Sequence, residues 1–252
     1  MSVLKRDFLP ADLKKELDAN GFDGSVVVQA PQTLEETRWL LELADKNPFI
    51  KGVVGWVDLR AKDVAKQLEG FAKNPKFKGV RHIAQAEPDD YFLVGKEFTA
   101  GIEVLGELGL TYDILVFPKQ LPAAVELVRK FPKQPFVLDH IAKPEIKAGK
   151  LSPWKEQIRQ LAANPNVYCK LSGMVTEADW KNWKPEDLKP YLDVVFEVFG
   201  PRRLMIGSDW PVCLLAANYG AAINLVKGYI AKMSKKDQDA VLGDNAVKFY
   251  KL

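Results

Sequence analysis

Three side chains in this sequence have the types and places that water-activating chemistry needs. His82, His140 and Asp209 each follow a short apolar run, and the chain has no other histidines. Asp209 lies in LMIGSDWPV (204–212), between Gly-Ser and Trp-Pro. An unpaired carboxylate is expensive to bury, and the residue before a proline is turned away from the helical region. Trp210-Pro211 therefore stops the strand and turns the chain outward, which leaves Asp209 at a strand mouth. A histidine pair with a carboxylate suits a metal-activated water; without metal it suits general-base attack on a carbonyl polarised by a cation.

Each candidate also has a plainer reading. Asp209 is either a catalytic base or a loop cap that binds Arg202 or Arg203, and its strand-end position with the enforced exit favours the base. His140 is either a hydrogen-bonded core histidine or a site residue, with Lys143 as a second cation at the same mouth. Arg81 and His82 are consecutive, so strand alternation sends one inward and the other outward, and at most one serves the site. Lys170 reads equally as a salt-bridged interior lysine or as a functional amine. Of the six tryptophans, Trp210 is the one expected in the pocket wall. Cys169 and Cys213 have no CxxC context and are expected as buried, reduced thiols.

The elements that must place these residues alternate along the chain. Strand patterns at 25–30, 51–59, 78–84, 111–117, 135–141, 167–172 and 203–210 precede helical patterns at 33–46, 62–73, 96–108, 121–130, 153–163, 185–199 and 219–232, with a last helix near 235–249. This order predicts parallel strands covered by crossover helices. Asn47-Pro48, Asn74-Pro75 and Asn164-Pro165 end helices and lead into strands. Seven strands are one short of a (β/α)8 barrel, and the helix at 10–21 has only nine residues before it. The expectation is an α/β fold, a single TIM-type barrel domain over 1–252 with its first strand missing or irregular. An open doubly wound sheet would also hold seven parallel strands, but no GxGxxG or P-loop follows the first one. In a barrel the chemistry lies at the C-terminal strand ends, where all the candidates fall.

Composition narrows the function classes. With 47% hydrophobic and 27% charged residues and a net charge of +3, the 252-residue chain reads as an ordinary globular protein. Its lysine pairs stand beside acidic residues, so no nucleic-acid partner is expected. No run reaches the ~18 apolar residues of a membrane span, and the N-terminal stretch has no signal-peptide core; the expectation is a cytoplasmic protein with no membrane partner.

VRHIAQAEPDDYFL, LTYDILVFPKQLPAAVELVRKFPKQPFVLDHIAKP, NVYCKLSGMVTEADW and RLMIGSDWPVCLL resemble the amidohydrolase-related sugar lactonases, the L-fuconolactonase and L-rhamnono-lactonase-like enzymes. The likeness runs from about residue 8 to the closing GDNAVKFYKL. It implies an amidohydrolase-type barrel that hydrolyses a sugar-derived lactone, with Asp209 as the carboxylate of the eighth strand, His140 as the histidine of the sixth, and Arg81 and His82 in the motif of the fourth. The family's opening HxH pair has no counterpart in this sequence. The resemblance therefore leaves two cofactor readings, none required or a single divalent metal such as zinc on His140 and Asp209.

The mechanism this implies has Asp209 as general base, His140 as catalytic partner, and Arg81 or His82 together with Lys170 and Trp210 as substrate-binding residues, with cationic groups facing the oxyanion. The polar segment 86–98 is the expected recognition loop. The alternatives are a barrel that binds without turnover, a Schiff-base enzyme using Lys170, and a decarboxylase of the same superfamily. An open seam beside the first strand also raises the expectation of a homodimer.

Overall fold

The computed structural model describes residues 2–252. Seven strands, β1 Ser25–Val28, β2 Ile50–Gly55, β3 Phe77–His82, β4 Thr111–Ile114, β5 Phe136–Leu138, β6 Val167–Leu171 and β7 Leu204–Ile206, form one sheet in sequence order. All six pairings are parallel. The helices are α1 Pro10–Asn20, α2 Leu34–Lys46, α3 Val64–Ala72, α4 Lys96–Glu107, α5 Leu121–Lys130, α6 Trp154–Ala162, α7 Met174–Glu177, α8 Pro185–Phe199, α9 Tyr219–Ile230, α10 Lys235–Asp239 and α11 Asn245–Tyr250. A π-helical turn, Ala240–Asp244, joins the last two.

The expected αβ turns form as proline chemistry dictates. Ile50, Phe77 and Val167 each donate a backbone N–H to the carbonyl of Asn47, Asn74 or Asn164 three residues earlier, at 2.9, 3.0 and 3.2 Å. Each turn delivers the chain from helix to strand, so three different strands enter the sheet in the same way. The strands stop one to four residues earlier than the apolar runs. Beyond Val28, Gly55, Ile114, Leu138 and Ile206 the chain leaves the ladder, and the site is built on those departures.

Among the described residues no strand pairing joins β7 to β1. Helices span that side instead. Leu17 of α1 packs with Tyr219 and Ile223 of α9, and Phe22, Phe49, Ile206 and Trp210 surround them. The opposite end of the interior is filled by α11: Phe249 and Tyr250 pack against Val54, Val137 and Met205, with Val26, Val28 and Tyr168 alongside. These side chains come from β1, β2, β5, β6 and β7, so they define the inward face of the curled sheet.

Candidate active site

Above that apolar plug the inward face becomes ionic. Register pairs Arg81 on β3 with Asp113 on β4, and Asp139, the first residue past β5, meets them together with Lys170 of β6. Arg81 Nη1 lies 2.9 Å from Asp139 Oδ2, and Lys170 Nζ lies 2.7 Å from Asp139 Oδ1 and 2.5 Å from Asp113 Oδ2. Tyr250 donates its hydroxyl to Asp113 at 2.8 Å. Burial alone would push the Asp139 carboxyl up, but Lys170, Arg81 and His140 hold it well below the usual range. Burial alone would pull the Lys170 ammonium down, yet Asp113 and Asp139 hold it above its ordinary value. Lys170 is thus a protonated ion-pair lysine. A Schiff-base amine needs a depressed pKa, so this environment opposes that alternative. Arg81 is likewise committed: its Nη2 also donates to the Gln29 carbonyl, and Gln29 Nε2 returns a bond to the Arg81 carbonyl at 3.0 Å.

The mouth lies one step further along the strands. His140 and Asp209 come together there, with His140 Nε2 3.6 Å from Asp209 Oδ1. Neither stands on regular strand. Asp209 has φ 54°, and His140, Ile141, Ala142 and Lys143 all have positive φ, a left-handed run without a glycine. Such a conformation costs about 1–2 kcal/mol per residue, and surrounding contacts must hold it. The Lys143 N–H donates to the His140 carbonyl at 2.8 Å, and the buried Trp154 indole N–H donates to the Ile141 carbonyl at 2.7 Å. On a continuing strand Asp139 and His140 would face opposite sides. The left-handed run lets Asp139 enter the interior network while His140 stays at the mouth.

His140 Nδ1 lies 2.8 Å from Ser172 Oγ, and the ring rests on Gly173, where a Cβ would fall 2.6 Å from His140 Cβ. Burial pulls the imidazole below its ordinary value against the opposing pull of Asp209 and Asp139. Lys143 brings an ammonium to the same rim, 4.0 Å from Glu177 Oε1 and 5.5 Å from the Phe117 ring centroid. Burial raises the Glu177 carboxyl, Lys143 lowers it, and Asp209 adds to the rise. Trp210 stands beside this mouth, edge-on to Phe8 with centroids 5.2 Å apart.

His82 goes elsewhere. Regular alternation on β3 turns Arg81 inward and His82 outward, into a cage where Trp56 Nε1 lies 3.2 Å from Nδ1, Glu87 lies 2.6 Å from Nε2, and Phe92 stacks at 4.7 Å. The expected recognition loop supplies part of that cage, and its Leu93 and Phe98 are buried. The structure therefore brings His140, Asp209 and Trp210 to one mouth, places Arg81 and Lys170 in the ion network beneath it, and leaves His82 outside. Sequence reasoning did not single out Ser172 or Glu177. Both fall in the SGMVTE segment just past β6, and a search limited to strand ends stops at Lys170. Cys169 and Cys213 are buried free thiols as expected, and burial pushes Cys213 up to about 12.

An amidohydrolase family model, Amidohydro_2, matches residues 2–252. The chain belongs to the amidohydrolase family. It is 40% identical over 263 residues to an L-fucono-1,5-lactonase of Burkholderia multivorans and 38% identical over 258 residues to one of Burkholderia ambifaria, covering 100% of this chain and 88% of each relative. A crystal structure of a Burkholderia multivorans amidohydrolase with bound zinc superposes with a TM-score of 0.96 at 40% identity, over 100% of this chain and 91% of that one.

The donor set bears on whether this amidohydrolase mouth fits such a metal. A catalytic zinc takes three protein ligands. His140 and Asp209 converge, but among the described residues no group of three or more His, Cys, Asp or Glu side chains is placed to hold a metal ion. The residues present do not fit a three-ligand site.

Proposed function

We propose that this amidohydrolase opens a sugar-derived lactone by attack of water at the β5–β7 mouth, with Asp209 as general base. The observation that carries the reading is the convergence of Asp209 and His140, 3.6 Å apart, at that mouth in a chain 40% identical to an L-fucono-1,5-lactonase. The Asp209 carboxylate orients the water and takes its proton as the water attacks the lactone carbonyl. The Ser172 hydroxyl, donating to Nδ1, leaves the neutral His140 with its Nε2–H directed to the developing oxyanion. The Lys143 ammonium supplies the positive charge at the rim. Asp209 then returns the proton to the departing ring alkoxide. Arg81 and Lys170 act through Asp139 by holding the base of the His140 turn, and Trp210 walls the pocket. A strained ester needs less electrophilic help than an amide, which matches a mouth with two convergent site groups.

Proton release on a panel of aldonolactones tests this, comparing the parent with Asp209→Asn, each with and without chelator. Turnover lost in the variant and retained under chelation supports the mechanism. Turnover retained in Asp209→Asn removes the general-base role, and turnover lost under chelation assigns the water to a metal. Cytoplasmic placement and a homodimer belong to the same reading. Among the described residues no helix is long and apolar enough to cross a membrane. A monomeric mass by light scattering at micromolar concentration would remove the dimer.

A further inference from the structure

Beside the mouth lies a groove of about 550 Å³, within the size range of small-ligand pockets. Glu177 belongs to both: it lines the groove and faces Lys143 at 4.0 Å. The rest of the wall comes from Thr176 of α7, the segment after it and Lys147 across the gap. Trp180 dominates that wall. Its indole N–H donates to the Thr176 carbonyl at 2.7 Å, which fixes the ring, while 41% of the residue stays exposed. A large aromatic side chain held in one orientation with a free face serves as a platform. Around it the wall is polar: Lys147 Nζ lies 3.6 Å from Asp179 Oδ2, and Asn182 Nδ2 lies 3.5 Å from Asp179 Oδ1.

We propose that this groove is the subsite for the hydroxylated part of the substrate, with Trp180 stacking on its C–H face and Lys147, Asp179 and Asn182 reading its hydroxyls. The inference rests on the lactone reading above and adds the specificity element to it. A carbonyl held at His140 and Asp209 leaves the remainder of a sugar lactone directed past Glu177 into the groove. An aliphatic lactone would gain nothing from the charged wall. A polyol matches both parts of the site, because its ring carbons present hydrogens to an aromatic face while its hydroxyls accept and donate at once.

Trp180→Ala and Trp180→Phe test the proposal through the ratio of kcat/KM on an aldonolactone to kcat/KM on unsubstituted δ-valerolactone. Calorimetric binding of the ring-opened aldonate serves as a second readout. Loss of the platform should lower that ratio about tenfold in Trp180→Ala, through KM, weaken aldonate binding similarly, and be largely restored in Trp180→Phe. An unchanged ratio overturns the subsite even where the parent is an active lactonase. A parent that opens no lactone but binds aldonate, with affinity lost in Trp180→Ala, removes the lactone reading and keeps the subsite. Absence of aldonate binding to the parent removes the subsite.

Discussion

His140 and His82 are both buried histidines, and at the residue scale their surroundings give them different work. Burial leads the downward shift in each, so both are neutral at pH 7, but only His140 has a ring nitrogen at the mouth. His140→Ala should lower kcat by about 10²–10³, the usual cost of losing one oxyanion donor, and also lower the unfolding midpoint, because the ring's contacts with Ser172 and Gly173 are lost with it; steady-state kinetics beside thermal unfolding checks both halves. His82 lends itself to a stability test. A histidine depressed in the folded state binds its proton more readily when unfolded, so stability falls as pH drops through about 6.5. Unfolding free energy from urea titrations should therefore decline between about pH 7 and 5.5, less steeply in His82→Gln than in the parent. Equal slopes would show that the cage around His82 does not disfavour its charge.

At the scale of elements, the site depends on where strands stop. The alternation of periods located seven strands and placed α2, α5 and α8 within a residue or so of their observed bounds, because amphipathic faces and proline turns are local signals. The same local logic separated Arg81 from His82. It could not find the left-handed run at His140–Lys143, since no glycine marks it and its support comes from Trp154, Ser172 and Gly173, distant in sequence. Two glycines test this support. Gly149 and Gly173 share φ 64°, but a Cβ at Gly149 meets nothing within 4 Å, while at Gly173 it strikes His140. Gly149→Ala should cost about 1 kcal/mol of stability and leave turnover intact. Gly173→Ala should match that strain and also abolish most activity, because the imidazole must move; comparable kcat values in the two variants would count against the role of this contact.

For the whole molecule, the interior network is the largest electrostatic commitment, and the sequence did not resolve it because Lys170 read equally well as an ion pair or a reactive amine. Its partners, Asp113 on β4 and Asp139 after β5, become neighbours only when the sheet curls. Lys170→Met leaves two buried carboxylates facing each other and should cost about 3–5 kcal/mol in urea unfolding. Tyr250→Phe removes one donor to Asp113 and should cost about 1–3 kcal/mol. A loss below 1 kcal/mol for Lys170→Met would mean that the network is dispensable. The Tyr250 contact also constrains the order of assembly. Asp113 leaves the ribosome well over a hundred residues ahead of the hydroxyl that donates to it, and the apolar plug on Val54 waits for the same helix. A nascent barrel therefore has its ion pairs available early but keeps one wet end and one missing donor to Asp113 until α11 emerges, so the native core closes on a late, long-range contact.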